Sequence, residues 1–432
     1  MSVVFNRLAL HTKHAVRWHC ASKKTYKCKL LVVGGGAGGC SITSRFARRL
    51  QKNCIILLEP SKIHYYQPAF TLVAAGIKTL NQSHRPLSKL VPRGVTWLRD
   101  RAEDFEPCSN LVHTRNGDKI YYEFMVVAVG IKNDYDKIIG LQKALDDRKS
   151  PVSTIYAPEY CAKTWSNIQK FTGGHALFTF PAIAGKCSGA SMKIMFLAHD
   201  HWRRKKTVNK TSITFNTGAD TLFGVPKYAM ALRRLALNRY IIPNYGANLV
   251  EVTPKGAVFV GSRGETISFP FNFLHVTPPM SPPECLAKCE ELTNSGGFLD
   301  VDVHTLQHTR FPNVFGLGDC TCTPNSKTAA AVAVQSSVLE RNLSNAMVGK
   351  KSSFKYTGYG ACPLITSYSK GMLAEFQYEK KLCETFPFDQ AKERRLFFLL
   401  NKHVYPYLYW RMVKGKWNGP GTIRNIINPL RM

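Results

Sequence analysis

The stretch that most constrains this chain runs from Lys29 to Glu59, KLLVVGGGAGGCSITSRFARRLQKNCIILLE. A short apolar run, Leu30 to Val33, meets Gly34, Gly36 and Gly39 at G-x-G-x-x-G spacing, and a second apolar run, Ile55 to Leu58, ends in Glu59. The pattern predicts strand, tight turn, helix and strand. The glycines let the backbone approach a pyrophosphate, and the helix N-terminus supplies free N–H groups. The acid about 20 residues further on holds a ribose hydroxyl pair. The alternative is a glycine-rich strand-to-helix turn that binds nothing.

The rest of the chain supports an α/β reading. Val95 to Arg99 and Leu111 to His113 have the composition of strands, with Asn116-Gly117 as a turn between flanking elements. Tyr121 to Gly130 reads as a buried strand that ends in glycine. A second α/β unit begins near Gly174, with strands at His175–Phe180 and Ile213–Asn216 and a helix at Tyr228–Arg239. A two-dinucleotide oxidoreductase carries a second glycine fingerprint after the first of these strands. Here the loop reads FPAIAGKCSGASMKIM, without phosphate-binding glycines and with Cys187 expected at the start of the next helix. Its absence argues against a nicotinamide electron donor. Further on, FPNVFGLGDC ends a strand in Gly318-Asp319, and a helix beginning near Lys327 follows. Asp319 suits the ribityl or phosphate part of a flavin dinucleotide, and the helix dipole suits the negative charge of a reduced flavin.

A chain of 432 residues, 44% of them hydrophobic, has room for two or three packed domains. The formal charge of +31 points to anionic partners. The basic residues are dispersed, which favours small anions or an anionic membrane over nucleic acid. Thirteen cysteines at this length do not make a disulfide scaffold, and neither Cys285/Cys289 nor Cys320/Cys322 has the second pair of a zinc site. Residues 1–24 hold arginine and lysine among apolar residues and no acid, which is a mitochondrial targeting pattern. No run of 18 apolar residues occurs. Between Lys392 and Trp417 seven cations alternate with aromatic and aliphatic residues, and Pro406 is expected to divide this tail into two short helices. Such helices suit the plane of a membrane surface. A truncation near residue 390 is expected to leave a folded protein.

Taken in order, GGGAGG with Glu59, LEPSKIHYYQP, FPAIAGKCSGA, HVTPPMSPP, NVFGLGDC, SKTAAA, ACPLIT and ETFPFDQ resemble the sulfide:quinone oxidoreductases of animal mitochondria, from about residue 27 to the C-terminus. The resemblance implies a flavoprotein of the glutathione-reductase type. Its α/β fold has two Rossmann-like dinucleotide-binding domains and a C-terminal amphipathic, membrane-associating helical tail. The implied domains are an FAD-binding part at 25–150, a second Rossmann-like domain at 151–300, a return of the FAD domain at 301–350 and a redox-cysteine and membrane region at 351–432. It implies that Cys187 and Cys362 are the redox pair, with the sulfane sulfur carried by Cys362 and Cys187 reaching the flavin. Beside Gly34, Gly36 and Gly39, it puts Ala37, Gly38, Glu59, Gln67, Ala102, Asp319, Lys327, Thr328 and Ala329 at FAD-contacting positions. Lys193 adds positive charge near Cys187, Cys108 is a bystander, and Phe376, Tyr378, Phe386 and Phe388 are candidates for a quinone wall.

The implied partners are hydrogen sulfide, ubiquinone, and glutathione or sulfite as sulfur acceptor, with no nucleic acid and no metal. The implied location is the inner mitochondrial membrane, on its matrix face, as a peripheral protein. The competing readings are a type II NADH:quinone dehydrogenase and a redox-inactive flavoprotein that binds nucleic acid.

Overall fold

The computed structural model describes residues 23–182 and 185–428. The targeting pattern of residues 1–24 lies almost wholly outside the described residues. The apolar run of the fingerprint becomes the central strand Thr25–Val33 of a seven-stranded sheet. It pairs in parallel with Ile55–Leu58 on one side and Lys119–Val127 on the other, and Val95–Leu98 extends the first side. Leu30 to Val33 are buried on both faces, which is why this strand reads as a continuous hydrophobic run rather than an alternating one. Helix Ala37–Phe46 covers one face. Strand Val314–Gly316 returns nearly 190 residues after Lys119–Val127 and pairs with it in parallel, so both dinucleotide motifs end on one edge of one sheet.

Between these passes the chain builds a second, wholly parallel sheet, in the order Val152–Ser153, Phe273–His275, Gly174–Phe180, Thr211–Thr217, Ile241–Asn244. Helices Ala190–Arg204 and Pro226–Leu237 pack on it. A small antiparallel pairing, Lys132–Asn133 with Met280–Ser281, holds the two crossings together. The hairpin Gly360–Ile365/Gly371–Phe376 follows. Its Cys362, Leu364 and Met372 join the hydrophobic core of the second sheet, while Tyr359 and Ala361 join that of the first. The hairpin is therefore wedged between the two units.

The tail differs from the sequence expectation. Two short α-helices are present with Pro406 in the first turn of the second, but no break in the helical path separates them. Helix Arg395–Leu399 passes through a π-helical turn, Leu400–Val404, directly into helix Tyr405–Val413. The wider turn absorbs the amide that proline lacks, so the helical path continues. The tail also docks on the protein. Tyr409, Trp410, Met412 and Val413 are buried in the first core, and Phe398 in the second. A chain cut near residue 390 loses these side chains from both cores, contrary to the expectation that it stays folded. The outward face keeps Leu396, Leu399, Val404 and Tyr407 exposed. No helix among the described residues is long and apolar enough to cross a membrane.

Trp410 is 9% exposed and carries the Arg85 guanidinium 4.1 Å above its ring. Trp410→Ala is expected to destabilise the full chain by about 3–5 kcal/mol, read as a lowered midpoint in denaturant unfolding. A midpoint within error of the parent would show that the tail is not part of the folded core.

Candidate active site

The glycine turn is shaped by its neighbours. Gly34 has φ +100°, and a Cβ there would press on the Ala128 carbonyl. A Cβ on Gly39 would overlap the Gly34 carbonyl. Gly36, by contrast, faces open space and offers no capping side chain to helix Ala37–Phe46, whose first turn is Ala37, Gly38 and Gly39. Glu59 leaves strand Ile55–Leu58 and turns its carboxylate back on the turn: Oε2 accepts from the Gly35 N–H at 2.6 Å and Oε1 from the Ser61 N–H at 2.7 Å.

The second dinucleotide motif arrives from the other side. Asp319 lies just beyond strand Val314–Gly316. Among the described residues it has no hydrogen-bond partner, and burial pushes its carboxyl up against the pull of Lys327 and Lys186. Lys327 donates to the Thr321 carbonyl at 2.9 Å, and Thr328 caps helix Ala329–Ala346 by accepting from the Ala331 N–H at 3.2 Å. A glycine turn open at Gly36 before one helix and a half-buried acid without a hydrogen bond among the described residues before another fit the pyrophosphate and sugar parts of FAD. Gln67 is exposed at the start of a short 3-10 turn. Ala102 opens an antiparallel strand with its methyl in the core, so only its main chain is left to meet a ligand.

The 175 positions between Cys187 and Cys362 collapse to 3.9 Å between the two sulfur atoms. Cys187 is not the first residue of a helix. It sits in the turn before helix Ala190–Arg204, with φ +49°, and its carbonyl accepts from the Ala190 N–H. Its own N–H donates to the Lys327 carbonyl at 3.2 Å, which ties the cysteine turn to the Asp319 segment. Cys362 comes from the hairpin, and a Cβ on Gly189 would crowd its sulfur. The small residue is needed for the approach of the two segments.

Lys193, one turn into the helix, is 4% exposed and places Nζ 3.6 Å from the Cys187 sulfur. The Cys187 thiol is held down to about 6, first by its hydrogen bond with Cys362 and then by the Lys193 ammonium, against the opposing effect of burial. Cys362 is pushed well up by the same hydrogen bond and by burial. The pair therefore divides into a thiolate and a thiol, the polarity a thiol–disulfide exchange centre uses.

Other residues around the pair carried little sequence signal. Tyr156 donates its hydroxyl to the Cys187 carbonyl at 3.4 Å, and buried Tyr66 lies within electrostatic reach of the same thiol. Tyr66 belongs to the IHYYQP motif, whereas nothing local marks Tyr156. The four proposed quinone-wall aromatics do not form one wall. Phe386 and Phe388 stack at 5.3 Å and meet Phe397 of the tail, Phe376 packs on Phe223, and Tyr378 turns toward Tyr356 and His304. Cys108 is exposed beside Glu291, remote in sequence and contact from the pair.

In the reduced protein, iodoacetamide is expected to modify Cys187 with a pH midpoint near 6, located by peptide mass mapping. Lys193→Met should move that midpoint up by about one unit or more, since an opposite charge at this range is worth that much. An unmoved midpoint would remove Lys193 from the electrostatics of the thiolate.

No family model matches the chain. Among curated proteins, the mitochondrial sulfide:quinone oxidoreductase of Mus musculus is 43% identical over 426 residues, 98% of this chain and 93% of that protein. The Dictyostelium discoideum protein of the same name is 39% identical over 404 residues, 92% of this chain and 89% of that protein. Among solved structures, the sulfide:quinone oxidoreductase of Aquifex aeolicus superposes with TM-score 0.79 at 17% identity, covering 94% of this chain and 96% of that one. The NDH2 of Plasmodium falciparum superposes with TM-score 0.67 at 13% identity, covering 94% and 99%.

Proposed function

Since the chain belongs to the sulfide:quinone oxidoreductase family, whose members are enzymes named for oxidising sulfide and reducing a quinone, we propose that Cys187 and Cys362 are its redox pair and that FAD occupies the groove between the two dinucleotide motifs. The observation that carries this reading is the 3.9 Å sulfur pair with Lys193 beside one member.

In the working cycle the two cysteines start as a disulfide. Hydrosulfide attacks the Cys362 sulfur, forming a new S–S bond as the Cys187–Cys362 bond breaks. Cys362 becomes a persulfide, and Cys187 leaves as a thiolate. The direction follows from the electrostatics, because the thiol of lower pKa is the better leaving group and Cys187 has Lys193 to receive the charge. Once the outer sulfur has left, Cys187 and Cys362 re-form their disulfide and give up two electrons, which a bound FAD would accept and pass to quinone. Gly34, Gly36, Ala37, Gly38, Gly39 and the Thr328–Ala329 turn hold its phosphates, Glu59 its adenosine ribose, and Asp319 with Lys327 its ribityl region. Gln67 and the Ala102 main chain complete the binding site. A thiolate acceptor such as glutathione, or sulfite, bonds to the outer sulfur of the Cys362 persulfide as its S–S bond breaks, leaving Cys362 as a thiolate, and Lys186 and Lys327 favour the approach of either anion. The relatives' names support a mitochondrial location and a quinone acceptor, and the basic tail supports a membrane surface; on this proposal the protein lies on the matrix face of the inner membrane, with ubiquinone as acceptor.

Anaerobic titration with sulfide should bleach the bound flavin, and NADH should not. Cys187→Ser and Cys362→Ser should each lower sulfide-driven bleaching at least a hundredfold with FAD still bound. Near-normal bleaching in either variant would sink the mechanism, and rapid bleaching by NADH would favour the type II dehydrogenase reading.

The exposed face Leu396, Leu399, Val404 and Tyr407, together with Ile423, Ile426 and Ile427 of helix Gly421–Ile427, is the proposed membrane contact. Leu399→Glu with Ile426→Glu should abolish sedimentation with anionic liposomes and reduce turnover of a long-chain quinone. Sulfide-driven flavin reduction should be retained. Unchanged liposome binding would place the membrane contact elsewhere.

A further inference from the structure

We infer that Tyr409, on the tail helix, is a positioning residue for the cofactor loop, acting through His64 on the peptide of Gly35. The inference rests on FAD lying at the glycine turn, as proposed above.

His64 lies in strand Ile63–Tyr65 and is 4% exposed. Its Nδ1 is 3.0 Å from the Gly35 carbonyl oxygen, and its Nε2 is 2.7 Å from the Tyr409 hydroxyl. A carbonyl only accepts, so Nδ1 carries the proton. Nε2 of the neutral ring is then an acceptor and, at 2.7 Å, takes the Tyr409 hydroxyl proton in preference to the Tyr65 carbonyl, which lies 3.3 Å from the same hydroxyl. Burial holds the imidazole down to about 4, which keeps it neutral. The other side of the same residue is also fixed, because the Gly35 N–H donates to Glu59. Gly35 is thus gripped at its carbonyl by a relay that starts in the tail, together with the Cys40 thiol at 3.1 Å, and at its amide by the proposed ribose-binding acid. The next residue is Gly36, where the loop opens to the ligand.

The tail holds the same helix at its far end. Ser44 donates to the Val413 carbonyl at 2.9 Å. Arg45 reaches the Trp417 carbonyl and Asn418, and Arg48 reaches the Lys414 and Gly415 carbonyls. Residues 409–418 therefore clasp helix Ala37–Phe46 at its C-terminal end and brace the loop at its N-terminal end. Losing the Tyr409 hydroxyl leaves a buried imidazole nitrogen without its donor, and the loop must shift or bear the cost. Seating of the tail and binding of FAD then favour one another, and the coupling is reciprocal.

The test uses the full chain. Tyr409→Phe keeps the packed ring and removes only the hydroxyl. FAD titrated into apoprotein, followed by flavin fluorescence, should show about three- to tenfold weaker binding for the variant, the equivalent of one hydrogen bond. In the unaltered protein, FAD should slow amide hydrogen exchange across residues 405–413, a readout that still decides the matter if the variant does not fold. Equal FAD affinity in a folded variant, or exchange in 405–413 that ignores FAD, overturns the coupling while leaving the cofactor reading intact. Failure of the unaltered protein to bind FAD overturns both.

Discussion

A buried ammonium needs an anion, and Lys193 has no carboxylate partner among the described residues. Its partner is the Cys187 sulfur at 3.6 Å. Much of the site follows from this contact. Together with the hydrogen bond from Cys362, which is the larger effect, it holds the Cys187 thiol down while that same bond and burial push Cys362 up, giving the pair a direction. It also requires helix Ala190–Arg204 to begin three residues after Cys187, so that the first turn brings the side chain of Lys193 back under the sulfur. The φ of +49° at Cys187 belongs to the tight turn that precedes the helix, a conformation tolerated when surrounding contacts impose it. Here the contacts are the Lys327 carbonyl at its N–H and Tyr156 at its carbonyl.

The two domains meet because the chain crosses between them twice and then sends back one hairpin. Each dinucleotide motif lies at the C-terminal end of a strand in the first sheet, where parallel sheets place their ligands. Cys187 lies at the corresponding end of strand Gly174–Phe180 in the second sheet. The hairpin Gly360–Phe376 supplies Cys362 from between the two cores. Reciprocal burial on both sides explains why its strands are apolar on nearly every residue. Within the hairpin, buried Glu375 is satisfied by Tyr359, Thr385, Gln390 and Arg424, so a single charge ties the hairpin to the last helix.

The tail combines two roles that its composition merges. Read as a string, 392–417 is a mixture of cations and large apolar residues, and every one of them is available for a membrane. In the fold, the inward face is spent on the two cores and on the relay through His64, and a smaller outward face is left. The π-helical turn is what allows this division: it rotates the helix ahead of Pro406 so that Phe397 and Phe398 face inward on one segment and Tyr409 to Val413 on the next.

The first strand–turn–helix–strand unit is legible in the chain alone. Glycine spacing, flanking apolar runs and an acid at the right distance are local features, and the backbone geometry they require has few other solutions. Asp319 and its helix were legible for the same reason. The missing second fingerprint was also local. Everything that depends on long-range approach needed the folded chain: the 3.9 Å between Cys187 and Cys362, the polarity set by their hydrogen bond and by Lys193, the support from Tyr156 and Tyr66, and the reach of Tyr409 through His64 to Gly35. The strong match of GKCSGA and ACPLIT to a known family nominated the two cysteines, but no periodicity in the chain says that they meet. Hydrogen bonds and burial depend on which surfaces face each other. Pro406 keeps its local preference for the first turn of a helix, and only the fold shows that a π-helical turn carries the path into it without a break.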